Sequence, residues 1–211
     1  MSSAGAVTVL RHPPAAVALT TIRGDSTPTD EFRRNLQQLS VLLLAEASRD
    51  WLTESTNVET PLRQCDGAAL TRRAVLVPIL RAGLGMLDGM LQLLPAAKVG
   101  HLGLYRDEAT LRPVTYYSRV PKDLETAEVL LLDPMLATGQ SAAAAAAILK
   151  ANGARSVRLV CVVACPPGIQ HFTSAHPDVP IVAAAIDPEL NDVGYIVPGL
   201  GDAGDRYFGT R

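Results

Sequence analysis

The run Val129-Leu-Leu-Leu-Asp-Pro-Met-Leu-Ala-Thr-Gly-Gln-Ser141, followed by the six alanines Ala142 to Ala147, decides the fold. Four apolar residues without alternation read as a strand buried on both faces, and Asp133 ends it. Thr138, Gly139 and Ser141 then sit in a loop that enters a helix over 141–151, stopped by Asn152-Gly153. The small alanine side chains let that helix lie close to the sheet. Backbone N–H groups at its start, with two hydroxyls beside them, can wrap a phosphate. Gly139 lets the backbone approach the anion or take a positive φ.

The same alternation recurs on both sides. Ala74 to Leu80 is a second buried strand, and the helix from Gly83 to Leu94 is stopped by Pro95. Val99 to Tyr105 and Val114 to Val120 flank a turn at Asp107 to Thr110, which implies a hairpin. Val157 to Ala164 and Ile181 to Ile186 are further strands, with a short helix over 168–176 between them. Upstream, Thr27 is the expected N-cap of a helix with Pro28 at N1 and Asp30 at N3. Phe32, Leu36, Leu39, Leu43 and Ala47 then mark one helical face. Asn57 to Thr71, with Pro61 and Gly67, reads as a loop or irregular hairpin, and the Gly- and Pro-rich tail from Asn191 to Arg211 as largely irregular. Buried strands alternating with helices make a mostly parallel sheet covered on both faces. Ligands of such sheets bind beyond the carboxyl ends of the strands, so the loops after Leu80, Tyr105 and Leu132 are where chemistry is expected.

Composition narrows the class. The chain has 211 residues, 48% hydrophobic and 19% charged, enough for a sizeable core and too apolar for disorder. A net charge of −2 lacks the basic excess that a broad nucleic-acid face needs, so no nucleic-acid partner is expected. No apolar run approaches the ~18 residues of a membrane span. The first residues show no apolar stretch after a basic start, so no secretory signal is expected, and the protein is expected in the cytoplasm. Cys161 and Cys165, four residues apart in one strand, cannot pair. With Cys65 they are expected as buried or half-buried thiols.

Competing motifs fall away. A Walker A loop is absent. Gly199-x-Gly201-x-x-Gly204 matches a dinucleotide fingerprint on paper, but only seven residues follow it, too few for a helix and a strand. Gly139-Gln-Ser-Ala-Ala143 suggests a nucleophile elbow, yet eight residues separate Leu132 from Ser141, where an elbow needs its serine directly after the strand. His12, His101, His171 and His176 show no metal-ligand spacing.

Three separated stretches carry a resemblance. Asp133-Pro134-Met135-Leu136-Ala137-Thr138-Gly139-Gln140-Ser141 resembles the phosphoribosyl-pyrophosphate (PRPP) loop of type I phosphoribosyltransferases. Val77-Pro-Ile-Leu-Arg-Ala-Gly-Leu-Gly85 and Gly194-Tyr-Ile-Val-Pro-Gly-Leu-Gly-Asp-Ala-Gly-Asp205 resemble the two other signatures of the uracil branch, and Arg11-His-Pro13 also fits. The likeness covers nearly the whole chain. It implies a single domain, residues 1–211, with an α/β sheet flanked by helices, a small hood from the N-terminal arm and C-terminal tail, and a protruding β-hairpin. It implies transfer of the phosphoribosyl group of PRPP to N1 of uracil, giving UMP and pyrophosphate in pyrimidine salvage, with Mg²⁺ carried on PRPP rather than on protein side chains.

By motif, residues 133–141 would hold PRPP, with Thr138, Gly139 and Ser141 on the 5′-phosphate and Asp133 on the ribose hydroxyls. Arg81 and Arg106 would face the pyrophosphate. Ile196, Gly201, Asp202 and Ala203 would meet uracil. Asp202 would also lie near PRPP and is the nearest candidate for a catalytic base. Two departures stand out. Gln140 replaces a common second glycine, and Pro134 follows Asp133 where many type I enzymes have another acid, as in the uracil branch. A homodimer or larger homo-oligomer is implied. GTP activates some relatives, and no residue here decides that point. An RNA-binding regulator on the same scaffold would need a basic face, and a transferase for another base would need a different tail.

Overall fold

A computed structural model describes residues 7–106 and 113–210. The elements in chain order are β1 (Val7–Val9), α1 (Pro13–Arg23), α2 (Thr29–Ala47), β2 (Thr53–Glu59), β3 (Gln64–Leu70), β4 (Arg73–Leu80), α3 (Leu84–Leu93), β5 (Lys98–Val99), β6 (His101–Arg106), β7 (Pro113–Arg119), β8 (Ala127–Leu132), β9 (Met135–Leu136), α4 (Gln140–Ala151), β10 (Ser156–Ala164), α5 (Pro166–Ala175), β11 (Ile181–Ile186), β12 (Glu189–Leu190), β13 (Ile196–Val197) and α6 (Ala203–Phe208).

The main sheet runs β1-β11-β10-β8-β4-β6-β7, parallel except for the antiparallel β6–β7 pair. The two faces of each strand feed two cores. Leu76, Leu130, Leu132, Val160 and Val162 pack with Phe32, Leu36, Leu39, Leu43, Met86 and Met90 from α2 and α3. Val75, Val77, Ile79, Val129, Leu131 and Cys161 pack with Ala142, Ala145, Ala146, Leu149 and Phe172 from α4 and α5. This is why the strands read as continuous apolar runs: both faces are dry.

Several expectations need correction. Thr27 is not the cap of α2: its hydroxyl donates to Thr21 O at 2.6 Å, closing the turn after α1, and Pro28 takes the cap position. The strand expected over 99–105 is interrupted between β5 and β6. Opposite the gap lies Pro78, which has no N–H for the ladder. The segment 57–71 belongs to a regular antiparallel hairpin, β2–β3. Its turn holds Pro61 and is closed by Thr60, whose hydroxyl accepts from Leu62 N and Arg63 N. The tail is not irregular, for β12 pairs antiparallel with β13, and α6 follows. Cys65 is exposed on β3, whereas Cys161 and Cys165 are buried free thiols. The turn expected at Asp107 to Thr110 lies outside the described residues. Among the described residues, no helix is long and apolar enough to cross a membrane.

Candidate active site

The carboxyl ends of β4, β8, β10 and β11 deliver Arg81, Asp133, Cys165 and Asp187 to one edge of the sheet. The loop after β8 is anchored rather than free. Pro134 O accepts from Val162 N and Val163 N, both at 3.0 Å, and β9 pairs with the end of β10. Pro134 and Leu136 are thereby turned inward as anchors. The Cys165 thiol donates to Ala137 O at 3.0 Å. Burial pushes that thiol up, so it stays protonated and keeps the donor.

Gly139 caps α4 with φ +77°, and a Cβ there would stand 2.5 Å from Gly168 O. Positive φ and close approach to α5 both demand glycine. Gln140 is already the first residue of α4, in a conformation open to any side chain, so the departure from the family's second glycine costs the loop nothing. The first N–H groups of α4 have no intrahelical partner. Among the described residues, the hydroxyls of Thr138 and Ser141 have no protein hydrogen bond either, which leaves a cluster of donors at the helix start.

Asp133 is held behind this loop, with Oδ1 accepting from Met135 N at 3.3 Å. Burial pushes its carboxyl up to about 6, against that one backbone hydrogen bond. A cation or hydroxyl donors arriving beside it would favour the ionised form.

The tail folds back over the same edge. Ala82, Met135, Ala137, Gly194, Tyr195 and Ile196, with the segment from Gly201 to Gly204, line a cavity of about 210 Å³. That is below the ~300–1,000 Å³ of drug-sized sites and suits a single ring. Of the expected base-binding residues, Ile196, Gly201, Asp202 and Ala203 all line it. Asp202 also caps α6, its Oδ1 accepting from Asp205 N at 2.9 Å. The Arg81 guanidinium reaches Asp205 Oδ1 at 3.1 Å and lies over the Phe208 ring at 5.6 Å. Arg106 closes β6, and its side chain lies outside the described residues.

Residues that sequence reading missed hold the tail down. Buried Asp187 accepts from both terminal nitrogens of Arg23 at 2.7 Å and from Gly199 N at 2.9 Å, while Arg23 also donates to Gly199 O at 2.6 Å. Buried Arg206 donates to Ile22 O, Leu200 O and Gly24 O and stacks on Phe32 at 4.5 Å. Nothing in the sequence pattern signals these pairings. Ala82 and Tyr195, by contrast, lie inside stretches already singled out.

The profile of the uracil phosphoribosyltransferase family matches residues 9–210. A uracil phosphoribosyltransferase of Dictyoglomus thermophilum is 52% identical over 206 residues, spanning 97% of this chain and 100% of that protein. One from Ligilactobacillus salivarius is 51% identical over 208 residues, spanning 98% and 100%. Among solved structures, the AQ2163 protein from Aquifex aeolicus superposes with a TM-score of 0.91 at 39% identity, covering 96% of this chain and 97% of that one. A hypoxanthine phosphoribosyltransferase from Staphylococcus aureus, at TM-score 0.50 and 12% identity over 74% and 76% of the two chains, shares the fold alone. With the anchored phosphate-type loop and the small tail-covered cavity at one sheet edge, these likenesses agree: the chain belongs to the uracil phosphoribosyltransferase family.

Proposed function

We infer that this sheet edge performs the family's reaction, in which uracil N1 displaces pyrophosphate from C1′ of PRPP to give UMP. One observation carries the reading. The PRPP-type loop (Met135, Ala137), the turn after β4 (Ala82) and the tail (Ile196, Gly201 to Gly204), far apart in sequence, wall a single small cavity.

The open donors of Thr138, Gly139, Gln140 and Ser141 suit the 5′-phosphate, a dianion at a helix start. Asp133 suits the ribose hydroxyls, which would donate to its carboxylate and favour ionisation. Uracil suits the cavity under the tail, between Ile196 and the segment from Gly201 to Ala203. Arg81 suits the leaving pyrophosphate. As the C1′–O bond breaks, charge grows on that group, so a guanidinium stabilises the transition state more than the ground state.

Among the described residues, no three His, Cys, Asp or Glu side chains gather as a metal site. Mg²⁺ belongs to this reading as the ion that PRPP carries. Asp133 and Asp202 offer the hard oxygen that such an ion takes beside phosphate and water. When bound, the ion offsets charge on the departing diphosphate. Asp202 as base stays part of this proposal, although its carboxylate also caps α6.

A homo-oligomer belongs to the same reading. Leu52, Val58, Leu62 and Leu70 on and around the β2–β3 hairpin stand exposed. So does a cytoplasmic location.

The test is a panel of free bases incubated with PRPP and Mg²⁺, reading pyrophosphate release. Release with uracil and UMP as product is expected. Release with a purine but not with uracil would overturn the reading.

A further inference from the structure

Asp205, on the first turn of α6, is a hub. Its Oδ1 accepts from Arg81 Nη2 at 3.1 Å and from Thr210 Oγ1 at 2.7 Å. Its N–H donates to Asp202 Oδ1, and its carbonyl accepts from Gly209 N at 2.8 Å and Thr210 N at 3.1 Å. The backbone around the carboxylate is thus held at both ends of a short helix, and Thr210 steers the carboxylate itself. The Arg81 guanidinium that meets this carboxylate also lies over the Phe208 ring, 5.6 Å from the ring centroid.

Two magnitudes decide what this pair is for. The Arg81 side chain is 58% exposed and that of Asp205 36%. An ion pair so open to water adds little to stability, so folding does not explain it. A guanidinium carries five N–H donors, and Asp205 engages Arg81 through Nη2 alone. The remaining donors stay available to an anion while the plane of the group is set. A long side chain directly beyond a buried strand is thereby aimed rather than neutralised.

We propose that Asp205 is a positioning residue for PRPP: it holds the Arg81 guanidinium in the orientation that meets the diphosphate. This rests on the reading above that Arg81 serves the diphosphate.

The test uses the full chain and a cycle of Asp205→Asn, Arg81→Ala and the double variant. Asp205→Asn keeps the size and the hydrogen bond to Thr210 but removes the charge. It should lower kcat/KM for PRPP about three- to tenfold, less than the ~100-fold that misplacing a reacting group by 1 Å can cost. UMP has no diphosphate, so its calorimetric affinity should stay within about twofold, whereas a merely structural disturbance of α6 would weaken it too. In the Arg81→Ala background, Asp205→Asn should change nothing further. Should Asp205→Asn fail to fold, Thr210→Val, which frees the carboxylate on its other side, should show a smaller effect with the same dependence on Arg81.

Equal losses in both Arg81 backgrounds, a parallel loss of UMP affinity, or tighter use of PRPP would each overturn the role of Asp205 while leaving Arg81 in place. Unchanged PRPP kinetics in Arg81→Ala alone would instead overturn the placement of Arg81, and the role of Asp205 with it.

Discussion

Asp133 sits in conflict with its surroundings, since its carboxyl is pushed up to about 6 by burial against ~3.9 in an unfolded chain. A carboxyl with a raised folded pKa costs nothing below about pH 4; the cost grows between about 4 and 6 and is complete above. Two units at 1.36 kcal/mol each make about 3 kcal/mol, an upper bound if the loop relaxes. Asp133→Asn should therefore be more stable than the parent by about 1–3 kcal/mol at pH 7.5 and indistinguishable near pH 4, while turnover collapses. Urea unfolding at the two pH values checks this, and equal stability at pH 7.5 would count against the burial argument. Gly139 makes the opposite case. Gly139→Ala should lose about 2 kcal/mol or more, since αL alone costs roughly 1–2 kcal/mol and the new Cβ meets Gly168 O. PRPP binding should go with it. Gln140→Gly should keep turnover and lose only about 0.5–1 kcal/mol, because the residue is already helical. Thr138→Ala should leave stability alone, as its hydroxyl has no protein hydrogen bond among the described residues. PRPP affinity by calorimetry should fall about ten- to a hundredfold, the ~1.5–3 kcal/mol of a hydrogen bond to a charged group.

At the scale of elements, α6 is too short to persist alone. Arg206 ties it to the end of α1 through the carbonyls of Ile22 and Gly24 and to the tail through Leu200 O. Arg206→Ala should cost roughly 2–4 kcal/mol, from the hydrogen bonds lost at the carbonyls of Ile22 and Leu200 and the lost stacking on Phe32. Because α6 carries one wall of the cavity proposed for the base, the KM for uracil should rise more than that for PRPP. Thermal unfolding and a two-substrate kinetic grid measure both, and an unchanged melting temperature would refute the anchoring role. The same logic explains β9. Two residues pair with β10 because Pro134 turns the chain there and offers its carbonyl to Val162 and Val163. That short rung makes the phosphate-type loop an extension of the sheet.

At the scale of the whole molecule, three segments far apart in the chain meet around one cavity. Uracil presents two carbonyl acceptors and one N3–H donor in a plane. The cavity wall from Ile196 to Ala203 is rich in backbone and poor in side-chain donors. A backbone N–H set for the C4 carbonyl would face the amino group of cytosine and lose its partner, a mismatch that discriminates by about 10⁴-fold. Uracil should be preferred over cytosine by that order, with 5-fluorouracil accepted; comparable rates with cytosine would show that this wall does not read the base. Much of this architecture was legible in the sequence. Runs such as Val129 to Leu132 have no polar alternation because both faces of a parallel sheet are covered, and local periodicity records that directly. The loop from Asp133 to Ser141 was legible for a similar reason: the residues that form this loop and the start of α4 are neighbours in the chain. The tail was not. Its order comes from pairings such as Arg23 with Asp187 and with Gly199, 164 and 176 residues apart, and Arg206 with Gly24, 182 apart. A charge or a glycine carries no mark of a partner that distant. Only the folded sheet, by bringing the end of α1 beside the strand end after β11, turned a Gly- and Pro-rich stretch into the roof of a site.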